Sequence, residues 1–343
     1  MVGAVTQALS RIDGLVAAGP GAFTRRAFDN GVMDLTQVEG LADLIDAETE
    51  VQRARAIEQA GGRLARLAED WRQRLILLAA EIEADLDFSD EDDVGAVDRD
   101  RLLLRIAAMA GEMRALLALP LAERLRDGVR VAFIGPPNSG KSSLVNAISG
   151  REAAIVTPIA GTTRDLIEVP IALSGIPYVL IDTAGDRDTA DPIEAEGVDR
   201  ARRAAAAADI VVDFSGRAPT STSAGQHVIY IRSKCDLDGG AAGEDQALPV
   251  SARTGEGLDR LLASIGTAGS AIVRPGETGL ANRRQAAAVG EATAPLRDAQ
   301  GRHENVLIAE ALRTALTAIG RLTGRVGVED MLSALFGRFC IGK

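Results

Sequence analysis

Gly135-Pro-Pro-Asn-Ser-Gly-Lys-Ser142 combines residue types and spacing that already define a chemistry. Its glycines let backbone N–H groups close around phosphate oxygens, Lys141 stands where an ammonium reaches the β- and γ-phosphates, and the Ser142 hydroxyl can ligate Mg²⁺. Lysine is scarce in this chain: Lys141, Lys234 and Lys343 stand against 35 arginines. A chain that uses arginine for general surface charge keeps lysine where a compact ammonium is needed. Asn138, Ser139, Gly140, Lys141, Ser142 and Ser143 are therefore expected to hold a nucleoside triphosphate.

Two further segments follow at suggestive distances. Gly161-Thr162-Thr163 precedes a strand-like run, and Asp182-Thr183-Ala184-Gly185 follows one. Thr163 can offer its hydroxyl to Mg²⁺, Asp182 can hold the metal through water, and the Gly185 N–H can sense the γ-phosphate. Base identity is expected from Ser233-Lys234-Cys235-Asp236. The Asp236 carboxylate can accept from guanine N1–H and the 2-amino group while the Lys234 stem lies beside the ring. Ser251-Ala252-Arg253 would supply a backbone N–H for guanine O6. Ser233 stands where asparagine is usual, which predicts GTP preference with reduced affinity. Asp186 follows Gly185, where small signalling GTPases carry glutamine, so another residue must orient the attacking water. Glu194 lies in the next segment, although by position alone it reads as an ordinary exposed helix carboxylate.

These residues need a frame. A strand at Val129–Ile134 and a helix at Ser143–Ile148 bracket the phosphate loop, and the runs Leu166–Leu173, Tyr178–Ile181, Ile210–Phe214 and Val228–Ile231 alternate with loops and helices. The pattern is that of an α/β P-loop GTPase domain, Ras-like with a mostly parallel sheet. On either side the period becomes helical. Val38, Leu41 and Ile45, then Leu64, Leu67, Trp71, Leu75, Leu78 and Ile82, and later Ile308, Leu312, Leu316 and Ile319 form bundle stripes, and Leu102–Leu119 is a further helical stretch ending at Pro120. The α/β domain, residues 128–270, is thus expected to be inserted into an all-α helical-bundle domain made of residues 37–127 and 271–343. Glu83 to Asp93 carries seven carboxylates and reads as a solvated helix end, since no histidine accompanies it. The crossover Arg217–Gln226 is short and poor in helix formers, which predicts a missing covering helix and exposed apolar sheet.

Composition narrows the classes. With 46% apolar residues and 3% aromatics, helix with small core residues is expected rather than an all-β fold. A net charge of -11 argues against electrostatic nucleic-acid binding by this chain alone. Two cysteines, Cys235 and Cys340, cannot make a disulfide framework, and no signal peptide or apolar run of spanning length is seen, so a cytoplasmic protein without membrane contact is expected.

Five stretches then carry a resemblance: Pro20–Thr24 with Arg26-Ala27-Phe28, Asp34–Gln37 through Ala42–Ala47, the nucleotide motifs, Asp87-Phe88, and the terminal Cys340-Ile341-Gly342-Lys343. Together they resemble the bacterial tRNA-modification GTPase family MnmE (TrmE). The resemblance implies a homodimeric GTPase that works with an FAD-dependent partner, MnmG, to modify the tRNA wobble uridine at carbon 5, using a 5-formyl- or methylene-tetrahydrofolate donor. It implies a K⁺ ion in place of an arginine finger, held by Asn138, Thr157, Ile159 and Thr162, within a switch segment of Thr157, Pro158, Ile159, Ala160, Gly161, Thr162 and Thr163. It also makes Glu194 the water-orienting residue and places Cys340 and Lys343 at the folate and modification centre. A cysteine fourth from the end is similar to a prenylation box, but terminal lysine is not a typical last residue.

The chain also departs from the family. By the same resemblance, residues 1–36 are expected to be a remnant of the folate-binding and dimerisation domain, without the folate-contacting arginine and glutamate. Val32 stands at a folate-contacting lysine, which leaves Lys343 alone of that set. The alternative expectation is a GTP-dependent binding switch, or a truncated member without folate chemistry.

Overall fold

The computed structural model describes residues 2–87, 98–151, 167–183, 203–215, 226–237, 247–274, 279–302 and 304–326. In chain order its elements are α1 (Val2–Leu9), α2 (Ala22–Asp29), α3 (Leu35–Ile45), α4 (Glu50–Ala60), α5 (Arg63–Asp87), α6 (Arg99–Leu117), α7 (Glu123–Asp127), β1 (Val129–Ile134), α8 (Lys141–Arg151), β2 (Ile167–Leu173), β3 (Ile176–Asp182), β4 (Ile210–Asp213), β5 (His227–Ser233), a 3₁₀ turn (Cys235–Leu237), β6 (Leu248–Val250), α9 (Leu258–Val273), α10 (Arg283–Ala299) and α11 (Asn305–Thr323). They fall into two compact units. One is helical (Met1–Asp46, Ala54–Leu119, Gly279–Lys343) and the other is α/β (Ala47–Arg53, Pro120–Thr278), so in sequence the α/β unit is inserted between parts of the helical one.

The helical unit is organised by apolar stripes at spacings of three and four. Along α5, Leu64, Ala68, Trp71, Leu75, Leu78 and Ile82 are buried, while Leu67 is only half-buried. The same shift occurs on α11, where Ala315 is buried and Leu316 half-buried beside Ile308, Leu312 and Ile319. Alanine at these seats lets neighbouring helices come close, and α11 packs on both α5 and α10. Asp34 starts α3 with a capping box: its Oδ1 accepts the Gln37 N–H (2.9 Å) and Gln37 Oε1 accepts the Asp34 N–H (3.0 Å). A carboxylate on this helix then ties it to α10. Glu39 accepts from Arg284 Nε (2.6 Å) and Nη2 (2.7 Å) and from Gln285 Nε2 (2.8 Å), so the buried charge is paired and hydrogen-bonded.

In the α/β unit the sheet order is β2-β3-β1-β4-β5-β6. β1 pairs in parallel with β3 (Val129↔Tyr178) and β4 (Val131↔Ile210), β4 with β5 (Ile210↔His227) and β5 with β6 (Ile231↔Leu248). Among the described strands only β2 runs antiparallel, against β3 (Ile171↔Tyr178). β1 and β4 are almost continuously apolar because a parallel strand at the middle of such a sheet is covered on both faces. Val131, Phe133, Leu180, Val212 and Ile231 share one core with Leu144 and Ile148 of α8 and Leu261 and Ile265 of α9. A second cluster is smaller: Ala132, Ala208 and Val211, with Ile134, Ala205 and Val228 partly buried against it. The sheet is parallel at β4–β5 despite the short crossover, of which residues 217–225 lie outside the described residues. Parallel pairing also brings Ile134, Asp182, Asp213 and Ser233 to one edge, the carboxyl ends of the strands, where ligands of open α/β sheets bind.

Candidate functional site

At the end of β1 the chain must turn sharply under a neighbouring strand. Gly135 has φ 147°, and a Cβ there would lie 2.5 Å from Cβ of Phe214, so only glycine passes. Phe214 is held in turn by edge-on contact with Phe133 (ring centroids 6.4 Å). The loop continues through Asn138 (φ 58°) and Gly140 (φ 96°) into α8, whose first helical bond here is Leu144 N–H to Gly140 O (2.9 Å). The N–H groups of the first turn have no helical acceptors and face outward from the helix start. Ser142 and Ser143 are exposed there, and Ser139 Oγ is buried with no hydrogen-bond partner among the described residues.

Lys141 is buried at the head of α8. Its Nζ donates to Gly135 O (3.0 Å) and Pro136 O (2.8 Å). Burial pulls the ammonium below its ordinary pKa, and the charge of Asp182 partly opposes that shift. Asp182, nearly fully buried, closes β3, and the next residue anchors the strand end: Thr183 Oγ1 donates to Phe133 O (2.6 Å).

The other end of the site is built on β5 and β6. Lys234, with φ 59°, reaches back across the loop and donates from Nζ to Asn138 O (2.7 Å). Asp236 in the 3₁₀ turn accepts from Ser251 Oγ at Oδ1 (2.7 Å) and from Arg253 Nε at Oδ2 (3.0 Å). The Ser251 hydroxyl first, and the Arg253 guanidinium with it, hold the Asp236 carboxyl below the usual carboxylate range. Ser251 is wholly buried where β6 ends, its N–H donating to Glu256 O (2.9 Å) and its Oγ accepting the Thr254 N–H (3.2 Å). A cleft of about 270 Å³ joins the two ends, with Ser139, Gly140 and Ser143 on one side and Asp236, Ala252 and Arg253 on the other. A wider open groove of about 600 Å³ beside Leu173, Ser174 and Gly266 contains none of these groups. Chemistry therefore selects the smaller cleft.

Residues 35–340 match the MnmE helical domain. The chain is 51% identical over 344 residues to the tRNA modification GTPase MnmE of Rhizorhabdus wittichii, covering 99% of this chain and 76% of that protein. It is 50% identical over 351 residues to that of a Methylobacterium species (99% and 79%) and 47% identical over 345 residues to that of Erythrobacter litoralis (100% and 80%). The chain belongs to the MnmE family.

On the MnmE-family chain, Asn138, Ser139, Gly140, Lys141, Ser142, Ser143, Lys234, Asp236, Ser251, Ala252 and Arg253 all fall at or beside one cleft, and Asp182 and Thr183 end the strand next to the phosphate loop. A desolvated ammonium, an unpartnered buried hydroxyl and a glycine cradle suit a phosphate chain. Ser142 and Asp182 suit Mg²⁺ in the same terms, as hard oxygen ligands at the phosphate end. For K⁺, Asn138 is the one expected ligand that is described. Thr157, Pro158, Ile159, Ala160, Gly161, Thr162, Thr163, Ala184, Gly185, Asp186, Glu194, Cys340 and Lys343 lie outside the described residues. Two site features were not read from the sequence: Phe214, which walls the cleft behind Gly135, and the side chain of Arg253, which was assigned a backbone role only. The obligatory glycine at 135 is the signal that a bulky neighbour must press there. Among the described residues no helix is long and apolar enough to cross a membrane.

Proposed function

We propose that this MnmE-family protein binds GTP in the cleft between the phosphate loop and Asp236, hydrolyses it, and couples the hydrolysis cycle to modification of tRNA. One observation carries the reading: a single cleft offers a phosphate cradle headed by Lys141 at one end and an ionised, positioned carboxylate at the other. Lys141 can exchange its two loop carbonyls for phosphate oxygens, and Asp236 accepts from a base that presents two adjacent donors, as guanine does and adenine does not. Ser142, Thr163 and Asp182 are proposed to hold Mg²⁺, and Asn138, Thr157, Ile159 and Thr162 to hold K⁺. The cations supply positive charge against the phosphates, the role an arginine finger plays in other GTPases. Glu194 is proposed to orient the attacking water, with Pro158, Ala160, Gly161, Ala184 and Gly185 forming the switches around it.

The finer chemistry belongs to the same proposal. It comprises carbon-5 modification of the wobble uridine with an FAD-dependent MnmG-type partner, in the cytoplasm, with Cys340 and Lys343 at the modification centre, a tetrahydrofolate donor and a homodimer. GTP hydrolysis by the purified chain, measured in K⁺ and in Na⁺ buffers, tests its core. A rate about tenfold or more higher in K⁺ is expected. Equally negligible rates in both salts, with GTP still bound, would leave a binding switch in place of an enzyme.

A further inference from the structure

Asp236 has two hydrogen-bond partners that differ in kind. Ser251 is wholly buried and its hydroxyl is locked by Thr254, so its bond to Oδ1 is a fixed part of the fold. Arg253, bonded to Oδ2, has a side chain 77% exposed, whereas that of Asp236 is 11% exposed. Arg253 also lines the cleft. Recognition of guanine needs both carboxylate oxygens, one for N1–H and one for the 2-amino group. Oδ1 can serve Ser251 and a base donor together, because an ionised carboxylate has about four acceptor sites. Oδ2 has the same capacity, but Arg253 reaches it from within the cleft that the base must enter.

We propose that Arg253 is a displaceable gate on Asp236, keeping the carboxylate covered and oriented until the base arrives and then swinging off Oδ2, so that it sets the rate of base entry. The inference rests on the proposed binding of GTP and adds to it a specific rate-setting role for one side chain. An ion pair with one exposed partner is weak and salt-screened, which suits a group that must leave readily. The neighbouring cation points elsewhere, Lys234 Nζ donating to Asn138 O (2.7 Å).

Stopped-flow association and dissociation of a fluorescent GDP analogue, at about 0.05 M and about 0.5 M salt, separates the possibilities. Arg253→Ala is expected to speed association about two- to fivefold at low salt, the range an exposed ion pair supports, with little difference at high salt and an unchanged dissociation rate. Losing a positive charge by itself would slow the approach of an anion, so acceleration cannot arise from altered steering. Arg253→Lys, which keeps the charge without the rigid fork, is expected to fall between. Unchanged or slower association in Arg253→Ala would overturn the gate. A change confined to dissociation would do so as well, making Arg253 a contact of the bound base. Wild-type protein that binds no GDP would remove the nucleotide reading itself, an outcome distinct from either.

Discussion

At Lys141, function and folding pull in opposite directions. The ammonium is buried with two loop carbonyls as its hydrogen-bond partners, and its pKa is drawn below the ordinary 10.5. A lysine whose folded pKa lies under its unfolded value binds its proton less well in the folded state. Holding the charge therefore costs stability at every pH below the folded pKa, and the cost fades as pH rises from that value towards 10.5. In the proposed GTP site, phosphate oxygens would convert the cost into binding. Lys141→Met is accordingly expected to raise the Tm of the nucleotide-free protein at pH 7 by about 1–3 °C. The same variant should lose the Tm increase that GTP gives the wild type, which at a hundredfold excess over Kd corresponds to about 2.7 kcal/mol. Thermal unfolding with and without GTP checks both halves, and a lower Tm for the free variant would mean that the two carbonyl bonds outweigh desolvation. This position was legible in the sequence, because a lysine-poor chain and an eight-residue pattern both point to it. Arg253 was not, since nothing in Ser-Ala-Arg states that the side chain turns back to Asp236.

Helix interiors differ in how closely a neighbour approaches, and two glycines make the difference measurable. Gly40 lies within α3, where an added Cβ would meet Ala60 N at 2.5 Å and Gln59 backbone carbon at 2.9 Å. Gly290 lies within α10 with nothing within 4 Å of the same position. Alanine improves helix propensity equally at both, by roughly 0.5–1 kcal/mol, so any divergence reports packing. Gly290→Ala is expected to stabilise the protein by about that amount, while Gly40→Ala should destabilise it by about 1–3 kcal/mol through overpacking. Urea unfolding of the two variants decides it, and a stabilising Gly40→Ala would show that the two backbones yield readily. Among the described elements, periodicity locates β1 to β5 and α3, α5, α6, α8 and α11, but not α1, α2, α4, α7, α9, α10 or β6 individually. Some of the differences have physical causes. β6 is three residues long, too short for any alternation to register, and exists because β5 offers it an edge. The stripe of α3 is read from Val38, whereas the helix starts at Leu35 behind the Asp34-to-Gln37 capping box, a signal that the sequence carries. Core seats at Ala68 and Ala315 were assigned to their leucine neighbours, because hydrophobicity ranks residue types without knowing how near the next helix stands.

Over the whole molecule, charge opposes the substrate that the family implies. The chain carries a net charge of -11, and tRNA is a polyanion whose binding is driven mainly by neutralised phosphates. Thirty-five arginines do not by themselves reverse this. Several are already committed within the chain: Arg72 to Glu69, Arg74 to Glu112, Arg105 to Glu81, Arg130 to Glu168 and Arg284 to Glu39. An arginine paired with a carboxylate contributes no net attraction at the range of the Debye length, about 8 Å in physiological salt. The proposed FAD-dependent partner would then bring the phosphate-binding surface, with this chain supplying the nucleotide cycle. Filter binding of tRNA to the chain alone at about 0.15 M salt is expected to give a Kd weaker than about 10 µM, with a shallow dependence on salt that corresponds to few neutralised phosphates. Adding the partner should tighten binding at least tenfold, about 1.4 kcal/mol, and steepen the salt dependence. Submicromolar binding by the chain alone would place a basic tRNA surface on this protein and remove the division of labour between the two.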